Sequence, residues 1–197
     1  MLSTVIRWIA ENWMEVLATV LGLLYIIYSI KQNPVCWLFG ILSSALYVFL
    51  TLKNGLYADM GLYVYYVLIG FYGWYEWIYG NPKDKSKNLE ISSLNLRLTI
   101  ILGIVALALF IGIALVLKKY TNSNVPYLDS FTTSLSIVAT WMLARKILQH
   151  WIVWIVVDLV SIGLYFYKEL YFTIILFAVY TLLAFSGYFK WKSAWEN

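Results

Sequence analysis

Seven apolar runs, each about as long as a bilayer is thick, leave this chain few ways to fold. They lie roughly at 14–30, 35–52, 57–79, 96–117, 127–144, 150–167 and 170–189. A helix needs about 20 mostly apolar residues to cross the hydrocarbon layer, and it satisfies its own backbone hydrogen bonds there. Only 12% of the residues are charged, against about a quarter in soluble domains. So much apolar surface cannot all be hidden in one water-soluble core. The expected fold is an all-α membrane protein with seven transmembrane helices.

The breaks between runs have local causes. KQNP (31–34) places Pro34 at a helix start, where its missing N–H costs nothing. LKNG (52–55) is a polar turn, NPKDKSKN (81–88) the longest polar segment, and NSNVP (122–126) another turn. Glu11 and Glu15 interrupt the start, and no small-x-small site follows the first run, so a cleaved leader is not expected. Residues 1–13 are expected along the membrane surface or as an extension of the first helix. Orientation follows the lysine and arginine bias. Nine (Lys31, Lys83, Lys85, Lys87, Arg97, Arg145, Lys146, Lys190, Lys192) fall on one side and five (Arg7, Lys53, Lys118, Lys119, Lys168) on the other. The richer side is expected in the cytoplasm, which puts the amino terminus outside and the carboxyl terminus inside. The basic residues are scattered over short loops, so nucleic acid is not an expected partner. The single cysteine, Cys36, allows no internal disulfide.

A shift of 114 residues brings the chain onto itself. Thr19 then meets Thr133, Trp37 meets Trp151, Tyr66 meets Tyr180, Gly73 meets Gly187 and Trp77 meets Trp191. Tryptophan and glycine matches at one constant offset are informative where leucine matches are not. The expected plan is an interfacial segment (1–13), a three-helix bundle (14–79), a cytoplasmic loop with a connector helix (80–117), and a second three-helix bundle (118–192). Three helices plus one connector make an even number of crossings, so the repeats are expected to be parallel, one of two designs seen in transporters.

HWIVWIVVDLV (150–160) carries the chemistry. Trp151, Trp154 and Asp158 are spaced i, i+3 and i+7 and share one helical face, with Tyr165 close to the same stripe. Asp158 stands near the middle of its run, where a charge costs about 2.5–3.5 kcal/mol and normally faces protein or a water-filled cavity. No lysine or arginine lies at that depth in another run, so an internal ion pair is not expected. Indole faces attract cations and stack on flat rings. Two tryptophans above a carboxylate therefore describe a slot for a flat, positively charged ring. At the repeat-related positions stand Trp37, Gly40 and Ser44. One ligand is expected at the repeat interface, with Ser43, Ser44 and Tyr47 available to its hydroxyls. Plainer readings compete: Trp151 as an interfacial belt residue, Trp154 as core packing, Asp158 as a protonated helix-to-helix bond. Asp59 is expected at the outer end of the third helix, Asp129 as a helix cap and His150 as a loop residue.

The sequence resembles the PnuC family of bacterial vitamin transporters, whose fold is similar to that of the SWEET sugar transporters. LYVFLTLKNGLYADMGLYVYYVLIGFYGWYEW (46–77) and WMLARKILQHWIVWIVVDLVSIGLYFYKELY (141–171) carry the resemblance, which spans about residues 16–192. It implies facilitated diffusion of a dephosphorylated vitamin, by alternating access across the inner membrane. It also implies trapping by a cytosolic kinase, a three-plus-one-plus-three architecture and a homotrimer. The family's sixth-helix motif falls on Trp151, Trp154 and Asp158, with an acid where the amide version carries asparagine. Nicotinamide riboside and thiamine both bring a ring cation that suits Asp158; riboflavin is neutral. Nicotinamide riboside is the expected cargo and thiamine the alternative. Asp59 and Tyr57 at the outer ends, and Trp141 and Arg145 at the inner ends, are expected to gate.

One histidine, one cysteine and scattered acids offer no acid–base or metal constellation, so no enzyme, cofactor or metal site is expected. A non-transporting structural subunit is the rival from another class. It would have no use for an acid in mid-membrane below two tryptophans.

Overall fold

The structure is a computed structural model that describes residue 7 and residues 10–53, 57–81, 88–121, 125–167 and 171–197, with backbone only at 57, 58 and 172. The expected interfacial segment at 1–13 lies largely outside the described residues. Seven long helices form among the described residues: α1 (Trp13–Ile30), α2 (Val35–Lys53), α3 (Tyr57–Tyr79), α4 (Leu96–Tyr120), α5 (Pro126–Ala144), α6 (His150–Tyr167) and α7 (Tyr171–Glu196). Five of them, α1, α2, α4, α6 and most of α7, are long and apolar enough to cross a membrane. Tyrosines dilute the apolar character of α3 and hydroxyl residues that of α5. The chain forms two compact units, residues 1–88 and 89–197.

In unit one, α2 packs between α1 and α3. The α1 helix ends in a turn where Gln32 takes a left-handed φ of 55°. The Gln32 N–H donates to the Ser29 carbonyl (2.9 Å) and the Asn33 N–H to the Tyr28 carbonyl (3.0 Å), the double bond of a Schellman cap. The next helix opens with the Val35 N–H on Asn33 Oδ1 at 2.9 Å. Ser43 Oγ then ties α2 to α1 by donating to the Ala18 carbonyl at 2.8 Å. Against α3, the Trp37 indole lies over Gly73, and a Cβ there would run into the ring. Trp77 meets Trp37 edge-on at 5.7 Å and 84°.

Unit two repeats the left-handed turn and the tryptophan packing at the same offset. Lys146 is left-handed (φ 49°); its N–H donates to the Leu143 carbonyl and that of Ile147 to the Met142 carbonyl, both at 2.9 Å. A Cβ on Gly187 would stand 2.6 Å from Trp151 Cε2, and Trp191 meets Trp151 at 5.7 Å and 87°. Left-handed backbone is unfavourable for a residue with a Cβ, so finding it twice at matched positions marks a shared frame. One pair has traded volumes. Gly40 lies against the Tyr25 ring, 2.9 Å from where its Cβ would be; the repeat-related positions hold Trp154 and Ala139.

Unit two also owns the extra helix. Asn95 caps α4 by accepting from the Leu98 N–H at 2.8 Å. Leu94, Leu98, Leu102, Ala106 and Leu109 form a ridge that packs on Val138, Met142 and Ile147. The segment ahead of α4 runs as a strap along the α5–α6 turn. The Ser92 N–H donates to the Lys146 carbonyl and the Leu148 N–H to the Ser92 carbonyl, both at 2.9 Å. Gln149 accepts from the Leu94 N–H at 3.0 Å and donates to Ser93 Oγ at 2.7 Å. The buried Lys146 ammonium donates to the Leu89 carbonyl at 2.8 Å.

Candidate substrate-binding site

One face of α6 turns into unit two: Trp151, Asp158, Ser161 and Leu164 are buried, with Trp154 half-buried among them, while Ile152, Val156, Leu159 and Phe166 are exposed. This is the stripe that the sequence spacing predicts, and it gains Ser161. Asp158 is 4% exposed and takes no hydrogen bond or ion pair among the described residues. Its carboxylate is largely covered, with its acceptor capacity unused, an arrangement that stability alone would not retain.

Trp151 differs from Trp154. Its ring packs on Gly187, Trp191 and His150 and is almost wholly covered. Trp37 is closed in the same way by Gly73, Trp77 and Tyr25. Both indoles are covered by neighbours within their own units. Their Nε1 groups are buried and take no hydrogen-bond partner among the described residues. Trp154 is half-buried and is the less covered tryptophan of the stripe.

The expected polar residues of unit one are unequal. Ser43 spends its proton on Ala18. Tyr47 shares a 3.1 Å hydrogen bond with Thr19 Oγ1 and stacks on Tyr63 at 4.8 Å. Ser44, the repeat counterpart of Asp158, is buried and makes no hydrogen bond among the described residues. Of the expected gating residues, Asp59 is exposed in the first turn of α3, and the Tyr57 side chain lies outside the described residues. Trp141 packs beside the Val138–Met142 cluster between α4 and α5, and Arg145 caps the end of α5.

Two expectations need correction. His150 is not a loop residue; it opens α6 fully buried, with Nδ1 on the Ile147 carbonyl (2.8 Å) and its ring against Trp191 (4.9 Å). The tryptophan lock covers the imidazole. Asp129 does not cap α5: the capping position is Val125, and Asp129 stands in the first turn, where its charge still favours the helix dipole. Sequence reasoning missed Ser161, although its position three residues after Asp158 on an apolar face was a usable signal. An apolar groove of about 400 Å³ bounded by Val105, Ala108, Leu109, Gly112 and Ile113 lies on α4 alone, and no residue of the stripe lines it. The described residues hold no cluster of three or more histidine, cysteine or acidic side chains fit for a metal.

Known proteins resemble this chain in sequence and fold. The chain is 23% identical over 204 residues to the nicotinamide riboside transporter PnuC of Escherichia coli strain K12, covering 91% of this chain and 85% of that protein. It is 26% identical over 182 residues to the riboflavin/roseoflavin transporter RibM of Streptomyces davaonensis, covering 91% and 84%. A crystal structure of the vitamin B3 transporter PnuC superimposes with a TM-score of 0.75 at 23% identity, over 98% of this chain and 86% of that one. The seven-helix, three-plus-one-plus-three membrane fold is thus a known one. A family model described as nicotinamide mononucleotide transporter matches residues 12–193, and the chain belongs to that family of membrane transporters.

Proposed function

We propose that this protein takes up nicotinamide riboside by facilitated diffusion with alternating access. The carrying observation is Asp158, a buried carboxylate without a partner among the described residues, one helical turn from the half-buried indole of Trp154. A pyridinium ring stacked on Trp154 would bring its charge to that carboxylate. Cation–π attraction contributes about 0.5–2 kcal/mol, and a charge-assisted contact about 1.5–3 more, toward the roughly 8 kcal/mol of micromolar binding. The family description names the mononucleotide, but a phosphate needs cationic partners. The α6 stripe holds none, which favours the dephosphorylated riboside.

Thiamine is the second reading, because its thiazolium would suit the same acid. In the wider reading, the nine-to-five basic bias puts the amino terminus outside the bacterial inner membrane. The carrier works as a homotrimer, residues 14–79 and 118–192 act as its paired bundles, and a cytosolic kinase traps the cargo. Tyr57, Asp59, Trp141 and Arg145 control the two ends.

The test is a titration of purified protein with nicotinamide riboside, thiamine and riboflavin, read by tryptophan fluorescence. Nicotinamide riboside is expected to quench, and Trp154→Ala to abolish the signal. Quenching by riboflavin alone would defeat the charge argument.

A further inference from the structure

Six buried hydroxyls in these helices are occupied by the backbone. Ser43, Thr51, Ser130, Ser134, Thr140 and Thr181 are buried, and each donates to a backbone carbonyl at 2.6–3.1 Å. That is the ordinary way for a serine or threonine to satisfy itself inside a helix. Ser136 and Ser161 in unit two, like Ser44 in unit one, do not follow this habit. Each is buried and makes no side-chain hydrogen bond among the described residues. Two of these hydroxyls stand in the same unit as an unpartnered carboxylate, and the three together call for a common explanation.

Helix spacing and the repeat register bring the three groups to one level of unit two. Ser161 is one turn from Asp158 on the same helical face. For Ser136 the register comes from the repeat. In unit one Gly40 lies opposite Tyr25, and Tyr47 opposite Thr19. At the common offset, position 154 falls opposite 139 and position 161 opposite 133. Asp158 is then level with Ser136 on the neighbouring α5. Ser136 is one turn from Ala139 on that α6-directed face, whereas Val138 and Met142 turn toward α4.

We propose that Ser136 and Ser161 are specificity residues that donate hydrogen bonds to the carboxamide oxygen of the cargo, while Asp158 accepts from its amide N–H. A carbonyl oxygen has two lone pairs for two hydroxyls, and a carboxylate is an acceptor only. The set therefore selects a neutral amide on a cationic ring and rejects the corresponding acid, whose charge Asp158 would repel. This rests on the nicotinamide riboside reading and adds to it the group that is read.

The experiment measures binding of nicotinamide riboside, nicotinic acid riboside and N-ribosylpyridinium, which lacks the carboxamide, to the full-length wild type, Ser136→Ala and Ser161→Ala. Thermal melts in the same detergent are run alongside. Each variant is expected to bind nicotinamide riboside about five- to tenfold more weakly, the size of one lost hydrogen bond. N-ribosylpyridinium binding is expected to stay unchanged, and the acid is expected to bind at least about tenfold worse than the amide to the wild type. If the wild type binds nicotinamide riboside and both variants match it, the hydroxyls do not read the cargo and the proposal fails while the transport reading stands. Equal weakening toward all three ligands would make the serines packing residues and overturn it. A change confined to the sodium dependence of binding would assign them to an ion and overturn it as well. No binding by the wild type would remove the transport reading, and this proposal with it.

Discussion

Trp37 in unit one and Trp151 in unit two are held alike, each over a glycine and edge-on to a second tryptophan. One turn further along, the two helices part company. Unit one has Gly40 under the Tyr25 ring and then Ser44; unit two has Trp154, Ala139 and Asp158. The frame is duplicated and its contents are not. Packing residues were kept in both copies because a tryptophan lock works the same way twice. The residues one turn away were free to diverge, and only unit two holds an acid there.

The equivalence of the two frames can be broken most forcefully at the outer tryptophans. Trp77→Ala and Trp191→Ala each remove a fully buried ring and are expected to cost about 3–5 kcal/mol. Thermal unfolding in detergent should show similar losses; a loss confined to one unit would end the equivalence. Asp158→Ser makes the stripe of unit two resemble that of unit one. Binding of nicotinamide riboside is expected to fall at least tenfold, about 1.5–3 kcal/mol for a charged contact. The melting temperature should rise, because a buried unpaired charge disappears; a fall in both would make Asp158 a structural acid. Gly73→Ala and Gly187→Ala drive a methyl into the indoles and are expected to cost about 1–3 kcal/mol each by the same melts. The smallest effect separates the two turns. Gln32→Gly relieves a left-handed side chain and is expected to stabilise by about 0.5–1 kcal/mol. Lys146→Gly gains as much from the backbone but loses the ammonium bond to Leu89, so it should be neutral or destabilising.

Much of this was legible in the sequence. Hydropathy located the helices, and the constant spacing of Trp37, Gly73 and Trp77 from Trp151, Gly187 and Trp191 exposed the repeat. The last helix runs to Glu196, beyond the apolar run, because backbone hydrogen bonds continue after Lys190 where hydropathy stops reporting them. The stripe through Trp154 and Asp158 followed from helical spacing alone. What did not follow was anything set by a partner element. That Gly187 and Trp191, some forty positions on, close over Trp151 was not readable from its own helix. His150 looked like a loop residue for the same reason. Ser136 acquires meaning only from the α5–α6 register, and the strap pairs residues more than fifty positions apart.

Position 92 shows how little some joints demand of the genetic code. Ser92 holds the α5–α6 turn through its own amide and carbonyl, one bond from each, and its side chain is not needed for either. Nineteen of the twenty amino acids could therefore stand there and keep the joint. Proline, which has no N–H to give, is the one residue that would cost the joint its bond to the Lys146 carbonyl.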